Sequence, residues 1–263
     1  MPVDIKSPKE LDLMRAAGRI VAEILQDLGE HAKPGVSTAE LNERAHAILG
    51  KYGATSPFYG YPNAKRGDPP FPGDICASVN DEIVHGIPRR NRILKDGDLL
   101  KIDVGAEFGG YIGDSAWTFA IGKVTPEAQR LMRTTESALM KGIAEAHAGK
   151  HLWDVIRAVQ EEVEQNGFTI IREYQGHGVG REMHEEPSIP NFLDEDYHKR
   201  PSNLLLRSGM TLAIEPMVVT GGWRTRQMSD KWTVTTRDHG LAAHYEHSIA
   251  VTENGPEILT QWR

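Results

Sequence analysis

The 263-residue sequence has little cysteine, few aromatic residues and no long apolar run. Its single cysteine, Cys76, excludes an intramolecular disulfide and a cysteine-rich structural zinc site. No stretch of about 18 apolar residues occurs, and the N-terminal segment lacks the apolar run of a signal peptide. The formal net charge of -7 is modest and gives no reason to expect nucleic-acid binding. We therefore expect a soluble cytoplasmic protein.

The sequence does contain enough apolar material for one large domain, with 39% hydrophobic and 25% charged residues. Ser7 precedes Pro8 and stands three residues before Glu10, which is the pattern of a capped helix start. Similar start signals and the apolar periodicity after them predict four helices, over about residues 8–29, 37–53, 126–148 and 151–166.

The rest of the chain predicts strands and one long loop. Proline, glycine and aromatic residues dominate residues 56–74, which favours irregular surface structure. Apolar alternation predicts a strand at 75–80, a hairpin at 99–122 and later strands at 170–173, 211–219, 232–236 and 241–252. The order helix, helix, strand, hairpin occurs twice. We therefore expect one α/β domain over residues 1–263, in which two similar halves, about 1–122 and 123–263, enclose a site.

The predicted hairpin brings two acidic residues together. In a tight antiparallel pair, a turn at Phe108-Gly109 would set Asp103 directly opposite Asp114, and a turn shifted by one residue would make them diagonal neighbours. Facing carboxylates among apolar residues are costly unless a cation lies between them. The pair favours a metal site, and the alternative is that both side chains are solvated on an exposed sheet face.

Two later predicted strands each carry a glutamate in an apolar setting, Glu215 in the first and Glu246 in the second. Polar residues at positions expected in a core indicate a function. A second hairpin, turning at Asp238-His239, would set Glu246 opposite Lys231 and next to Trp232. We therefore expect the indole to stand beside this carboxylate.

A histidine completes the set of metal-ligating side chains. His177 lies between Gly176 and Gly178, which allow close backbone approach, although a histidine satisfied by hydrogen bonds is the alternative. Four carboxylates and one neutral imidazole carry four negative charges, which two divalent ions would balance. Oxygen donors with a single nitrogen and no thiolate favour Mn, Fe, Co or Zn.

At this point several strings resemble those of the type I methionine aminopeptidases: DVGA (103–106), GDSAWTF (113–119), GHGVG (176–180), IEP (214–216) and YEHSIAVTENGPEILT (245–260). The resemblance runs from about residue 6 to residue 260 and keeps the family's order of Asp, Asp, His, Glu and Glu. It implies the pseudo-symmetric pita-bread fold, with an antiparallel sheet core flanked by two pairs of helices. It also implies two divalent ions and removal of the initiator methionine before a small second residue.

The resemblance assigns a metal role to five residues, namely Asp103, Asp114, His177, Glu215 and Glu246. Asp114 and Glu246 would bridge the two ions. Asp103 would complete one shell, and His177 with Glu215 would complete the other. Glu215 would in addition accept and pass on the proton of the attacking water.

Two further strings, VHGIP (84–88) and MHEEP (183–187), match family motifs that carry substrate-contacting histidines. By this resemblance His184 would steady the oxyanion, and His85 would position the peptide beyond the scissile bond. Phe58, Tyr61 and Trp232 are predicted walls of a pocket for the methionine side chain, through contacts between sulfur and aromatic rings. Ordinary packing or loop anchoring is the alternative for these three.

The chain departs from the family pattern at residues 63–75, which form an insertion, and at residues 191–209, which are enlarged. A proline-directed peptidase of the same fold is an alternative, but it would carry a large N-terminal domain. A metal-free binding module on this fold would have lost ligands. The last alternative is an α/β protein whose acidic residues only decorate its sheets.

The expected partners are the N-termini of nascent polypeptides, with the ribosome exit region as a candidate contact. We expect a monomer that uses neither nucleic acid nor a membrane. Pro2 is a small second residue, so Met1 itself is expected to be removable.

Overall fold

The helices of the computed structural model, which describes residues 3–262, begin where the capping signals predict. Met1 and Pro2, with the processing expected there, lie outside the described residues. The Ser7 hydroxyl accepts a hydrogen bond from the Glu10 N–H, and the Glu10 carboxylate accepts one from the Ser7 N–H. Gly53, with φ +65°, ends the second helix. The α-helices within the described range are α1 (Pro8–His31), α2 (Thr38–Tyr52), α3 (Pro126–Glu145) and α4 (Leu152–Gln165), and a short 3-10 helix spans Tyr197–Lys199.

All strand pairings within residues 3–262 are antiparallel. The sheets are β1-β3-β4, β10-β11-β2, β12-β9-β5 and β14-β13-β8-β6-β7. Their strands are β1 (Ile75–Val79), β2 (Glu82–Val84), β3 (Leu99–Phe108), β4 (Tyr111–Ala120), β5 (Thr169–Ile170), β6 (Gln175–Gly178), β7 (Glu185–Pro190), β8 (Thr211–Ile214), β9 (Met217–Val219), β10 (Thr225–Gln227), β11 (Val234–Thr236), β12 (Ala242–His244), β13 (His247–Thr252) and β14 (Gly255–Ile258).

The helices cover the sheets in two pairs. Helix α1 packs on β3 and β4 and beside α2, while α3 packs on α4 and contacts β8, β9 and β12. A Cβ atom on Gly113 would lie 2.7 Å from the backbone nitrogen of Gly18, so α1 and β4 touch through their backbones. Within residues 3–262, no helix combines the length and apolarity needed to cross a membrane.

The hairpin register differs from the predicted one by one turn position. Phe108 pairs with Tyr111, and the turn residues are Gly109 and Gly110, with φ +60° and +78°. A turn of this type needs positive φ at both positions, which two glycines adopt without the strain that Phe108 would suffer. Asp114 therefore lies opposite Gly105, and the prediction that it faces Asp103 directly is wrong. The two aspartates are diagonal neighbours on one face, which was the stated alternative.

Two predicted long strands are each interrupted at their glutamate. Residues 211–219 form β8 and β9 with a break at Glu215-Pro216, and residues 241–252 form β12 and β13 with a break at Tyr245-Glu246. Proline lacks the N–H that a central strand needs, so Pro216 cannot continue the ladder. The chain passes at both breaks between the β12-β9-β5 sheet and the five-stranded sheet. Both glutamates therefore lie where two sheets meet.

The predicted pairing around Asp238-His239 is wrong. Strand β11 pairs with β10 and β2, whereas β12 pairs with β9, so Lys231 does not lie opposite Glu246. The Thr236 N–H donates to the Asp81 carbonyl just before β2, which holds β11 in a sheet that does not contain β12. The predicted strand at 170–173 is also wrong in extent, because only Thr169–Ile170 is a strand.

Candidate metal centre and substrate cavity

A cavity of about 480 Å³ opens between the sheets and collects every side chain that the sequence singled out as a site residue. Its lining includes Asp103, Asp114, His177, Glu215 and Glu246, together with His85, His184, Phe58, Tyr61 and Trp232. These residues come from strands, strand breaks and loops that are far apart in the chain. The fold thus brings them to one place, while their individual roles stay predictions.

Four carboxylates form the floor of this cavity. Asp103 and Asp114 come from the β3-β4 hairpin, and Glu215 and Glu246 come from the two strand breaks. Asp114 is 1% exposed and Glu246 is 2% exposed. One oxygen each of Asp103, Asp114 and Glu246 is buried without a hydrogen-bond partner among the described residues. Buried carboxylate oxygens without partners are costly, so the site calls for a cation.

The raised pKa values of these four acids reflect the same unfavourable burial of their negative charges. Burial raises the pKa of Asp103 to about 7, with the Glu215 charge adding to the rise. Burial raises the pKa values of Asp114, Glu215 and Glu246 well above their usual range, and neighbouring carboxylates raise those of Asp114 and Glu246 further. A divalent ion bound among these carboxylates would offset both the cost of their desolvation and the repulsion between their charges.

His177 lies within β6 and faces two of the acids. Its Nε2 atom is 3.7 Å from Asp114 Oδ2 and 3.6 Å from Glu215 Oε1. Its Nδ1 atom is 2.9 Å from the Gly178 carbonyl oxygen. A carbonyl only accepts, so Nδ1 carries the proton and the Nε2 lone pair faces the acids. Burial also lowers the pKa of His177 to about 3, which keeps the ring neutral.

The glycines beside His177 permit the close backbone approach that was predicted. A Cβ atom on Gly176 would lie 2.3 Å from the Ala213 carbonyl oxygen, and one on Gly178 would lie 2.2 Å from the Glu186 carbonyl oxygen. Any larger residue would push β6 away from its neighbours. The position of the His177 ring therefore depends on both glycines.

The donor atoms fit divalent metal ions. One ligand atom each from Asp114, His177 and Glu246 lie within 4.8 Å of one another, and so do ligand atoms from Glu215, His244 and Glu246. Asp103 belongs to neither group, but its unpartnered oxygen lies on the same face of the hairpin. Oxygen and imidazole donors of this kind suit Mn, Fe, Co or Zn.

His244 is a member of this cluster that the sequence reasoning missed. It is 2% exposed, and its Nε2 atom is 3.4 Å from Glu215 Oε2 and 3.9 Å from Glu246 Oε2. The available signal was its position two residues before Glu246, because residues two apart in a strand point to the same face. A single histidine in an apolar strand is otherwise typical of a core.

Two further histidines stand on different walls of the cavity. His184 is exposed at the mouth, with Nδ1 2.7 Å from the Tyr61 hydroxyl and its ring centre 4.4 Å from that of His177. His85 follows β2 with φ +58°, which is rare outside glycine and aims its ring at Tyr174. Burial lowers the pKa of His85 to about 4, so its ring is neutral.

The loop at residues 56–74 contains neither helix nor strand, as predicted, and forms the aromatic wall. Phe58 and Phe71 are 7% and 3% exposed, so the loop is anchored in the core and not wholly at the surface. Phe71, which the sequence reasoning missed, lies edge-on to Trp232 at a ring distance of 5.2 Å. Tyr61 and Trp232 line the cavity beside them. Trp232 lies in that wall and not in the hairpin beside Glu246.

The chain was compared with known families and sequences. Metallopeptidase family M24 matches residues 12–253. The methionine aminopeptidase of Clostridium acetobutylicum is 45% identical over 256 residues, which are 97% of this chain and 98% of that protein. Methionine aminopeptidase 1 of Bacillus subtilis is 46% identical over 256 residues, with the same coverage of both chains. The similarity therefore extends over nearly the full length of each protein.

Solved structures agree with the sequence relatives. Methionine aminopeptidase from Thermotoga maritima superposes with a TM-score of 0.91 at 41% identity, covering 99% of this chain and 100% of that one. Prolidase from Pyrococcus furiosus has a TM-score of 0.76 at 21% identity, so it shares the fold alone. It covers 98% of this chain but 65% of the prolidase. These neighbours confirm the predicted pita-bread fold and do not favour the proline-directed alternative.

Proposed function

The chain belongs to metallopeptidase family M24, and we propose that it removes the N-terminal methionine of polypeptides by metal-assisted hydrolysis, before a small second residue. The observation that carries this proposal is the cluster of four carboxylates, three of which have a buried oxygen that lacks a hydrogen-bond partner among the described residues. We further propose that the protein acts in the cytoplasm on nascent chains. A contact with the ribosome exit region and a monomeric state stay predictions.

The proposed metal ligands are the five predicted side chains, Asp103, Asp114, His177, Glu215 and Glu246. Their four negative charges balance two divalent ions, which is the stoichiometry we propose. When bound, such ions lower the pKa of a water and polarise a carbonyl oxygen. The types of donor atom are compatible with Mn, Fe, Co and Zn.

Glu215 is the proposed proton carrier. It stands between His177 and His244, so its carboxylate lies within the proposed centre, where it can accept a proton from a reacting water. In the proposed reaction a water oxygen forms a bond to the carbonyl carbon of the N-terminal methionine, and one proton of that water moves to Glu215. The C–N bond then breaks, and Glu215 passes the proton to the departing amine nitrogen.

His184 is the proposed donor to the oxyanion. The Tyr61 hydroxyl is 2.7 Å from His184 Nδ1, and if the phenol donates to Nδ1 then Nε2 carries the ring proton. A neutral ring with Nε2–H can donate to the negative oxygen that develops on the carbonyl. Tyr61 thus acts as a positioning residue for the tautomer of His184.

The aromatic wall supports methionine as the side chain that is removed. Phe58, Tyr61 and Trp232 offer ring contacts to a thioether, and Met183 adds a flexible apolar surface. The His85 ring centre lies 5.6 Å from that of Tyr174 and 6.2 Å from that of Trp232. We propose that these three rings bound the position of the residue after methionine, which favours a small one.

The proposal is tested by a peptide panel on the metal-loaded chain. We expect release of methionine from Met-Ala-Ser, much slower release from Met-Phe-Ser, and no release from either when a chelator is present. Xaa-Pro dipeptides should be cleaved poorly. Faster cleavage of Xaa-Pro dipeptides than of Met-Ala-Ser would contradict the proposal, as would full activity in the chelator.

A further inference from the structure

His244 is a buried histidine whose ring atoms are not accounted for by the protein around it. It ends β12, is 2% exposed, and neither Nδ1 nor Nε2 has a hydrogen-bond partner among the described residues. Most buried polar side-chain atoms have a partner, because an unpaired one loses its solvation. Other buried histidines nearby are satisfied, such as His247, whose Nδ1 is 2.9 Å from the Thr260 hydroxyl. The unpaired ring of His244 therefore indicates a ligand.

The ring of His244 is aimed at the carboxylates. Its Nε2 atom is 3.4 Å from Glu215 Oε2 and 3.9 Å from Glu246 Oε2. Two ligand atoms that each lie about 2.1 Å from one ion at a tetrahedral angle are about 3.4 Å apart. The distance from His244 to Glu215 is thus that of two ligands that share an ion, and the ligand atoms of all three side chains lie within 4.8 Å of one another.

Glu215 has an imidazole on both sides. Its Oε1 atom is 3.6 Å from His177 Nε2, while its Oε2 atom is 3.4 Å from His244 Nε2. The other oxygen of Glu246, Oε1, is buried and has no partner among the residues described. The two groups of ligand atoms, Asp114-His177-Glu246 and Glu215-His244-Glu246, each contain one histidine and share Glu246.

We propose that His244 is a second imidazole ligand of the metal centre, binding through Nε2 an ion that Glu215 and Glu246 also hold. This proposal rests on the proposed function, since it requires that the cluster binds metal. The donor set becomes four carboxylates and two imidazoles. Imidazole suits Zn, Fe and Co better than Mn, which prefers oxygen donors, so His244 would shift the preference of the centre toward the former ions.

The first test counts metal-bound histidines directly. The metal-stripped full chain is labelled with 15N at its eleven histidines, and ring nitrogen resonances are recorded as Zn²⁺ is added. We expect two imidazoles to acquire metal-bound nitrogen shifts, one lost in His177→Gln and the other in His244→Gln. A count of one, lost in His177→Gln and kept in His244→Gln, would overturn the role of His244. The wild-type count needs no variant that must fold.

The second test measures affinity by calorimetry for Zn²⁺ and Mn²⁺ separately. We expect His244→Gln to weaken Zn²⁺ binding by at least about tenfold, and Mn²⁺ binding by less, because an imidazole is lost. His247→Gln is the matched control, since it makes the same change at a buried histidine that bonds Thr260. Equal weakening in the control, or an unchanged Zn²⁺ affinity in His244→Gln, would contradict the proposal.

The two proposals fail in different ways. If Zn²⁺ binds neither the wild type nor the variants, and no histidine resonance moves, the metal centre itself is wrong. If His177→Gln loses Zn²⁺ affinity while His244→Gln keeps it, the metal centre stands and only the second imidazole ligand is wrong. In that case His244 would lie beside Glu215 without binding the ion.

Discussion

Single residues identify the site through polar atoms that are buried and unsatisfied. Such atoms occur in Asp103, Asp114, Glu246 and His244. By contrast, the hydroxyl of Thr118 makes two hydrogen bonds, because it donates to the His244 carbonyl and accepts from the His244 N–H. The aspartate pair was predictable because hairpin geometry alone brings diagonal or facing residues together. His244 was harder to identify, since its one sequence signal was its spacing of two residues from Glu246. Its role depends on a contact with Glu215, which tertiary structure creates.

The raised pKa of Asp103 predicts a pH dependence for the metal-free protein. The pKa rises from 3.8 to about 7, so the folded chain keeps a proton that the unfolded chain releases as pH rises through this window. Stability is therefore lost between about pH 4 and pH 7. The lowered pKa values of buried histidines such as His85 make stability increase as pH rises, which opposes the effect of Asp103. A variant without the Asp103 carboxyl is therefore needed to isolate the contribution of this residue.

Asp103→Asn provides that comparison, because an amide does not titrate. Urea unfolding in a chelator is measured for both proteins at several values between about pH 4 and pH 8. We expect the unfolding free energy of the wild type minus that of the variant to fall by roughly 2–4 kcal/mol as pH rises. A difference that is flat, or that grows with pH, would contradict the burial of an ionisable Asp103.

Tyr61→Phe tests the positioning of His184. The change removes the hydroxyl that is 2.7 Å from His184 Nδ1 and keeps the ring in the wall. We expect kcat for Met-Ala-Ser to fall about tenfold with little change in KM, because one hydrogen bond that orients a catalytic ring is lost. Tyr59→Phe, at a tyrosine of the same loop that is 68% exposed, is the matched control and should leave both constants unchanged. A rise in KM with no change in kcat would contradict the positioning role and would show that the Tyr61 hydroxyl only contributes to substrate binding.

At the scale of secondary structure, the helices were largely predictable and the strand breaks were not. Capping residues such as Ser7 and Ser37 are local signals, so they mark helix starts without tertiary information. Residues 211–219 and 241–252 have the apolar alternation of continuous strands, yet each changes sheet at its glutamate. That change depends on neighbouring strands. The glycine-rich strand β6 lacks β-forming residues and gave no signal of a strand at His177.

The turn of the β3-β4 hairpin supplies a prediction about stability. Gly110 has φ +78° and open space around its Cα, so an alanine there meets no atom but adopts a strained backbone. We expect Gly110→Ala to lower the unfolding free energy by about 1–2 kcal/mol. Gly50→Ala in α2 also enters open space, at an ordinary helical φ, and should raise it by about 0.5–1 kcal/mol. Urea unfolding of both variants decides, and an equal effect of the two would contradict the turn assignment.

At the scale of the whole molecule, the site exists because separate sheets and one long loop converge. The β3-β4 hairpin supplies the aspartates, the breaks between two other sheets supply the glutamates, and the loop at 56–74 closes the aromatic side. Sequence could name these residues but could not say which sheets meet. The predicted pairing of Glu246 with Lys231 was wrong because β11 and β12 belong to different sheets. Glu246 and Trp232 nevertheless both line the cavity. The division into two similar halves stays a prediction.

Two hydrogen bonds join the loop at residues 56–74 to residues 231 and 232 on the opposite rim of the cavity, so removing one of them should let the loop open more often. Asn63 donates to the Lys231 carbonyl at 2.9 Å, and the Trp232 indole donates to the Pro69 carbonyl at 2.8 Å. Asn63→Ala removes one tie, so we expect trypsin to cut at the exposed Lys65 and Arg66 roughly 2–10 times faster. Asn91→Ala, at another exposed asparagine, is the control and should leave the rate unchanged. Peptide mass spectrometry locates the cut, and equal rates for both variants would contradict the tie.

The central claim is that the buried carboxylates hold the divalent ions on which methionine release depends. It is tested by adding Co²⁺ to the metal-stripped chain while bound metal and Met-Ala-Ser cleavage are followed together. We predict two bound ions per chain and activity that rises with binding. Asp114→Asn should weaken both by more than the 10–100-fold typical of an outer-shell partner, while Asp12→Asn, at a residue whose side chain is 73% exposed, should change neither. Full cleavage by the metal-stripped wild type, or by an Asp114→Asn variant that binds no metal, would contradict the account.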